Sequence, residues 1–213
     1  MRIDADAVLW SASERDRAGK PLLVLLHGFG SHEGDLFGLS PYLPLNSTIA
    51  SLRAPAPEAG GFAWFPRGSS NAANPAGNPR AEIADAAASA VLAWLDTLPP
   101  APAIGLLGFS QGAAMALQLM RHAPRRFACA VQLSGFVVAG SLPGDETLAE
   151  LQPPVFWGRG TEDAVIPADA IARTEDWLPS HSSLDSRIYE DMAHSVSQRE
   201  LTDVAGFLNA HLA

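Results

Sequence analysis

The sequence predicts an α/β protein with a mostly parallel central sheet that is covered by helices on both faces. Short apolar runs of strand length alternate along the chain with longer segments whose apolar residues recur at helical spacing. The apolar runs are nearly continuous, which is typical of parallel strands buried on both faces. No linker or internal repeat interrupts this pattern, so we expect residues 1–213 to form one domain.

Glycine or proline bounds most of the predicted strands, which are residues 21–26, 48–54, 103–108, 128–134, 154–159 and 186–190. The last is more polar and is expected nearer an edge. Predicted helices cover residues 83–95, Gln111 to His122, a segment opened by Pro167, and a C-terminal segment that begins at a capping box of Ser197 and Glu200. The short stretch between residues 134 and 155 leaves no room for a helical cap domain.

Composition excludes several classes of partner. The chain has a formal net charge of −9 and no lysine or arginine run, so nucleic acid is not an expected ligand. No apolar stretch approaches the length of a membrane span, and the polar N-terminus lacks the apolar region of a signal peptide. We therefore expect a cytoplasmic protein without a membrane span.

Ser110 stands in the segment LLGFSQGAAM, at the predicted junction of a strand and a helix. The chain must reverse sharply there, and Gly108 and Gly112 remove side chains where the strand and the helix come close. A G-x-S-x-G sequence in this context is typical of a nucleophile elbow, which raises the serine hydroxyl clear of the sheet. The helix dipole at that point favours developing negative charge. The sequence thus predicts Ser110 as a nucleophile, in preference to Ser134.

A serine hydroxyl needs a base to act as a nucleophile, and the base needs a carboxylate to orient it. Among the six histidines, His194 has the required position, between the last predicted strand and the C-terminal helix. Asp163 follows another strand, just past a glycine turn. Glu162 would point elsewhere, and Asp191 is too close in sequence to His194. The order Ser110, Asp163, His194 is the one found for such triads on an α/β sheet.

The tetrahedral intermediate of such a reaction needs backbone N–H donors for its oxyanion. We assign one donor to Gln111, which follows the nucleophile, and the other to Phe29, which lies in the glycine turn after the first buried strand. A dinucleotide-binding interpretation of that turn is disfavoured. Gly28-x-Gly30 has no third glycine at position 33, and no acidic residue follows at the expected distance.

Metal and cofactor sites are not indicated. A metal site of His27, His32 and Asp35 is disfavoured because their spacing fits neither a helix face nor a hairpin. Cys129 is the only cysteine, which rules out an internal disulfide and a cysteine metal cluster. We expect neither a metal nor a cofactor.

These motifs resemble the small, lid-less serine esterases of the α/β-hydrolase superfamily, in particular the carboxylesterase/phospholipase group that includes acyl-protein thioesterases. The matching stretches are collinear over residues 22–197: LLHGFG, AWF, LLGFSQGAAMAL, LSGF, GRGTEDAVIP and YEDMAHSVS. The most specific of them is GFSQGA, since glutamine after the serine is typical of that group. The resemblance implies an α/β-hydrolase fold without a cap domain, and the same roles for the five residues assigned above.

The substrate-binding region departs from the group's pattern. Members commonly carry an aspartate soon after the HG-x-G turn and another after the Trp-Phe pair, where this chain has SHEGD and PRGSSNAANPAG. Residues 54–80 are rich in proline and glycine and form a long predicted loop, in which Trp64 and Phe65 either pin the loop to the core or line a site. We assign both residues, together with Phe136 and Val165, to substrate binding.

The sequence thus predicts a serine carboxylester hydrolase that acts through an acyl-enzyme on short-chain acyl esters. One alternative is an acyl thioesterase or lysophospholipase for longer acyl chains. An alternative of another class is a catalytically idle hydrolase-fold binding protein, against which the complete triad argues. The expected partner is a small-molecule ester, and a homodimer is implied by the resemblance alone.

Overall fold

The computed structural model describes residues 1–66 and 79–212. Its strands are β1 (Leu9–Trp10), β2 (Leu22–Leu26), β3 (Thr48–Leu52), β4 (Ala56–Glu58), β5 (Gly61–Ala63), β6 (Ile104–Phe109), β7 (Cys129–Leu133), β8 (Pro154–Gly160) and β9 (Ser183–Tyr189). Its α-helices are α1 (Glu14–Arg17), α2 (Gly34–Phe37), α3 (Ala81–Leu95), α4 (Gln111–His122), α5 (Gly144–Leu151), α6 (Ala168–His181) and α7 (Gln198–His211).

Seven of these strands form one sheet in the order β1-β3-β2-β6-β7-β8-β9. Every pair is parallel except β1 with β3, which is antiparallel at one edge. The polar strand β9 lies at the opposite edge, as its composition predicts. The mostly parallel sheet is confirmed, and the carboxyl ends of its parallel strands lie at one edge of the sheet, where ligands bind in such folds.

Two apolar clusters lie on the two faces of the sheet, because successive strand residues point to opposite faces. Val24, Leu106 and Trp157 belong to one cluster, to which α3, α4, α5 and α6 contribute. Leu25, Leu107 and Phe156 belong to the other, to which α2 and α7 contribute. Helices therefore cover both faces, and this explains why the strands are apolar at nearly every position.

Three elements depart from the expectations. Strand β1 lies in a polar N-terminal segment without strand periodicity, and α5 occupies part of the stretch that separates β7 from β8. The β4–β5 hairpin lies inside the segment predicted as a loop. Each departure is stabilised by tertiary contacts that local periodicity does not report.

Only one of the two hydrogen bonds of the capping box is formed at the start of α7. The Ser197 hydroxyl accepts a hydrogen bond from the Glu200 N–H at 3.1 Å, as predicted. The Glu200 carboxyl is fully buried, and no hydrogen bond of normal geometry joins it to Ser197 or to any other described residue. This carboxyl points into the protein because a glycine on β8 leaves space for it.

None of the helices among the described residues has the length and apolar character needed to cross a membrane.

Candidate active site

Ser110 occupies a sharp turn between β6 and α4, with φ 55° and ψ −116°. Non-glycine residues seldom adopt positive φ, and such backbone strain persists only where the surroundings enforce it. Here the Ser110 N–H donates to the carbonyl of Leu133, at the end of β7, at 2.8 Å. The turn is therefore held by the neighbouring strand, which orients the serine at the carboxyl edge of the sheet.

The glycines on either side of Ser110 are required by close backbone contacts. A Cβ on Gly112 would overlap the carbonyl of Leu26 in β2, and a Cβ on Gly108 would overlap the carbonyl of Gly112. These contacts confirm the reason given by the sequence for both glycines: α4 begins in direct contact with two strand ends, and no side chain fits between them.

The three predicted side chains of the triad meet in the structure. His194 Nε2 lies 2.9 Å from Ser110 Oγ, and His194 Nδ1 lies 2.7 Å from Asp163 Oδ2. An ionised carboxylate only accepts hydrogen bonds, so Nδ1 carries the proton of a neutral imidazole and Nε2 accepts from the serine hydroxyl. The ring also packs against Phe109, with the ring centroids 4.8 Å apart. This is the arrangement that a serine nucleophile and its base require.

The Asp163 carboxylate is held from both sides. Its Oδ1 accepts from the N–H groups of Val165 and Ile166 at 2.9 and 3.2 Å, while Oδ2 faces the histidine. Its side chain is 3% exposed. Glu162 and Asp191, the two neighbouring carboxylates, are exposed, whereas Asp163 contacts the histidine.

The loop after β2 carries Phe29, the predicted oxyanion donor. The Gly28 carbonyl accepts from His27 Nδ1 at 2.7 Å and lies 3.3 Å from the Ser31 N–H, which also donates to it. Because the peptide unit is planar and trans, fixing the Gly28 carbonyl also fixes the Phe29 N–H, which points the opposite way. The Ala54 N–H donates to His27 Nε2 at 3.1 Å, so the ring proton is on Nδ1.

His27 is a residue whose role sequence analysis missed. Its ring is fully buried, and burial lowers its pKa, so the neutral tautomer that orients Gly28 is favoured. Both ring nitrogens form hydrogen bonds within the protein. The only sequence signal was its place directly after a buried strand.

The β4–β5 hairpin holds the far end of the same loop. The Gly30 N–H donates to the Phe62 carbonyl at 2.9 Å, and the Phe62 N–H donates to the Ser31 carbonyl at 2.8 Å. A Cβ on Gly61 would overlap the Gly30 carbonyl, so the two segments are in backbone contact. The loop is therefore held at both ends.

Gln111, the other predicted oxyanion donor, is the first residue of α4. The first N–H groups of an α-helix have no partner within the helix and are available to an anion. The helix begins at the elbow, so this N–H lies next to Ser110 in the chain. Its role as a donor stays a prediction, as does that of Phe29.

The four predicted substrate-binding residues differ in exposure. Trp64, Phe65 and Phe136 are 0%, 3% and 0% exposed and pack in the apolar cluster with α3 and α4. Val165 is 49% exposed, two residues from Asp163. Contact of these residues with a substrate stays a prediction. Within the predicted loop of residues 54–80, residues 67–78 lie outside the described residues.

Among the described residues, no group of three His, Cys, Asp or Glu side chains has the arrangement of a metal site. At the carboxyl edge of the sheet, Ser110, His194 and Asp163 are instead hydrogen-bonded to one another. The chemistry that this arrangement supports is nucleophilic attack by an activated serine.

Comparison with known proteins gives a consistent assignment. A model of the family described as Phospholipase/Carboxylesterase matches residues 11–212. Acyl-protein thioesterase 1 of Debaryomyces hansenii is 34% identical over 52% of this chain and 49% of that protein, so the chain spans about half the length of the curated relatives it matches first. Acyl-protein thioesterase 1 of Kluyveromyces lactis is 28% identical over 94% of this chain and 96% of its own. The structure of acyl-protein thioesterase 2 of Zea mays superposes with a TM-score of 0.74 at 26% identity, covering 97% and 99% of the two chains.

Proposed function

Because the chain belongs to the phospholipase/carboxylesterase family, we propose that it is a serine hydrolase that cleaves small carboxylic esters through an acyl-enzyme. The observation that supports this most strongly is the hydrogen-bonded path from Ser110 Oγ through His194 to Asp163. Each of the three residues follows the carboxyl end of a different parallel strand. Short-chain acyl esters are the proposed substrates.

In the first half of the reaction, His194 Nε2 takes the proton from Ser110 Oγ while Oγ attacks the carbonyl carbon of the ester. The negative charge that forms on the carbonyl oxygen is stabilised by the N–H groups of Phe29 and Gln111. Collapse of this intermediate breaks the bond to the alkoxy oxygen, and His194 gives its proton to that oxygen. The alcohol leaves, and the acyl group stays on Ser110.

In the second half, a water molecule attacks the acyl carbon as His194 Nε2 takes its proton. The same two N–H groups stabilise the second oxyanion. Breakage of the bond to Ser110 Oγ releases the carboxylic acid, and the serine regains its proton from His194. Asp163 keeps its charge throughout and stabilises the imidazolium that forms twice.

A second candidate substrate is an acyl thioester. It is favoured by the relative from Kluyveromyces lactis, which is named an acyl-protein thioesterase and aligns with 94% of this chain. The same groups suffice for this reaction, with sulfur as the leaving atom. The two candidates are separated by measuring kcat/KM for matched O-alkyl and S-alkyl esters with acyl chains of two to sixteen carbons. A kcat/KM that is consistently higher for the short oxygen esters supports the carboxylic ester as substrate.

The direct test of the proposal is covalent labelling with a fluorophosphonate, followed by mass mapping of the labelled peptide. We expect the label on the peptide that contains Ser110 and expect Ser110→Ala to lose it, with kcat lowered about 10⁶-fold, as when a serine protease loses its nucleophile. Ser134→Ala, at the serine that follows the neighbouring strand β7, should keep the label. A folded wild-type protein that takes no label would favour the idle binding protein and overturn the proposal.

A cytoplasmic location and a homodimer are further parts of the proposal; the first derives from the composition of the sequence and the second from the family resemblance alone. Sedimentation velocity over a range of protein concentrations tests the second of them.

A further inference from the structure

The side chain of Gln111 connects the elbow to a segment far from it in sequence. Its Oε1 accepts from the Trp64 N–H at 2.7 Å, and its Nε2 donates to the Phe65 carbonyl at 2.8 Å. Gln111 is 7% exposed, so both bonds lie away from solvent. The side-chain amide of glutamine offers one acceptor and one donor, and here it uses the acceptor on Trp64 and the donor on Phe65.

Trp64 extends this connection to the loop that carries Phe29. Its indole Nε1 donates to the His27 carbonyl at 2.9 Å, and the Trp64 side chain is fully buried. The His27 carbonyl belongs to the peptide unit directly before Gly28. Trp64 is therefore bonded through its backbone N–H to the side chain of Gln111 and through its indole to the carbonyl of His27, two residues before Phe29.

The two proposed oxyanion donors lie at the two ends of this connection. One is the backbone N–H of Gln111, and the other is the N–H of Phe29, on a different strand end. An oxyanion hole stabilises a transition state only when its donors hold a fixed separation before the reaction begins. No bond between neighbouring residues sets that separation, because Phe29 and Gln111 are far apart in the chain.

We propose that the side chain of Gln111 is a positioning residue for the oxyanion hole: it holds Trp64, and through Trp64 the loop of Phe29, at a fixed distance from its own N–H. Gln111 would then act twice, with its N–H on the oxyanion and its side chain on the partner donor. This inference rests on the proposed function and adds to it a role for a side chain that the mechanism does not use.

The first test replaces the side chain while keeping the backbone N–H. Gln111→Met has a similar volume and loses both hydrogen bonds. We expect kcat for a short nitrophenyl ester to fall about 10- to 100-fold, since small displacements of catalytic groups have costs of this size. KM should change less than threefold, because the effect is on the transition state. An unchanged kcat, or a change in KM alone, would overturn the proposal.

The second test uses Gln111→Glu. Ionised glutamate keeps an acceptor for the Trp64 N–H but presents a second acceptor to the Phe65 carbonyl, which is repulsive. Protonated glutamate presents an O–H there and restores the donor. The ratio of variant to wild-type kcat should therefore rise as pH falls from 8 to 5, and any titration common to both proteins cancels in that ratio. A ratio that is independent of pH contradicts the proposal.

The matched control is Gln118→Met on the same helix. Gln118 is 1% exposed and also uses both ends of its amide, donating to Asp85 at 2.7 Å and accepting from Arg121 at 3.2 Å. Neither of these hydrogen-bond partners belongs to the candidate site. We expect a comparable loss of stability with kcat within twofold of wild type. If Gln118→Met lowers kcat as much as Gln111→Met, the effect is a general loss of stability and the proposal fails.

A double-mutant cycle tests the path through Trp64. Trp64→Phe keeps an aromatic ring and removes the N–H that donates to His27. If Gln111 acts through Trp64, the double variant loses about as much kcat as the more damaging single variant, whereas independent effects add in free energy. Additive effects would overturn the path. Wild-type labelling at Ser110 is scored separately, so an inactive wild type counts against the proposed function and a fully active Gln111→Met counts against this inference.

Discussion

The carboxyl of Glu200 occupies the space in which Gly158 would carry a side chain, since a Cβ built on Gly158 would overlap Glu200 Oε1. Burial raises the pKa of this carboxyl to about 7 from 4.5, the Ser197 N–H nearby lowers it in part, and the charge of Asp203 adds to the increase. The carboxyl lies at the first turn of α7, the helix that follows the loop of His194. Its protonation state therefore affects the stability of a segment next to the site.

We predict that Glu200→Gln removes a pH-dependent loss of stability. Below about pH 4.5 the carboxyl is protonated in both the folded and the unfolded chain, so its burial does not make the free energy of unfolding depend on pH. As the pH rises to 7, the unfolded chain releases its proton first, and the free energy of unfolding falls by at most about 3 kcal/mol. The variant should gain stability over wild type between pH 5 and 8, measured by urea unfolding at each pH.

Glu150→Gln is the control for this experiment, because Glu150 is an exposed acid on α5. Its difference from wild type should be small at every pH. A Glu200→Gln variant whose stability stays parallel to that of wild type from pH 5 to 8 would show that the buried carboxyl does not titrate in this range.

Asp163→Asn is predicted to lower kcat by about 10⁴-fold with little change in stability. The asparagine oxygen would keep the two N–H groups of Val165 and Ile166, so its NH₂ group would face His194 Nδ1. Nδ1 would then have to accept a hydrogen bond from the asparagine, so the imidazole proton would move to Nε2. A protonated Nε2 cannot take the proton of the Ser110 hydroxyl. Steady-state kinetics measure the loss.

The neighbouring exposed acid supplies the control for that variant. Glu162→Gln changes the same charge one residue away, without contact with the histidine. It should keep kcat within about twofold. Equal losses in the two variants would mean that the charge of the loop, and not the contact with His194, is what matters.

Gly112→Ala should destabilise the protein by about 1–3 kcal/mol, since its methyl group would overlap the Leu26 carbonyl. Helix propensity alone predicts the opposite sign, because alanine is favoured over glycine within a helix. Gly206→Ala in α7, where a Cβ would have no neighbour within 4 Å, should instead stabilise by about 0.5–1 kcal/mol. Urea unfolding of both variants, with the rate of fluorophosphonate labelling, measures the outcome; stabilisation by both would contradict the close contact.

The three side chains that meet at the candidate site could be selected from sequence because each follows a predicted strand. Ser110 comes with glycines whose spacing indicates the strand–turn–helix junction, Asp163 follows an apolar strand, and His194 follows a more polar one. Parallel strands end at one edge of the sheet, so residues that follow them converge without any knowledge of their distances. The position of the candidate site was predictable because the topology of the sheet alone brings these residues to one edge.

The roles of His27 and of the Gln111 side chain had no comparable signal. His27 was considered as a metal ligand, and its bonds to Gly28 and Ala54 depend on the loop and on the end of β3 coming together. The amide of Gln111 pairs with backbone 47 and 46 residues away in the chain. The same holds for the β4–β5 hairpin, which pairs with the loop after β2 rather than with the main sheet.

The fold class, the six parallel strands, the four longest helices and the choice of three side chains for the candidate site follow from periodicity, glycine placement and order along the chain, which are properties of the sequence. The bonds that orient those groups depend on the three-dimensional arrangement: the tautomer of His27, the buried carboxyl of Glu200 beside Gly158, and the amide of Gln111 on Trp64 and Phe65. The physical reason is that a hydrogen bond between distant segments has no period along the sequence, and it forms only after packing has removed competing water from both partners.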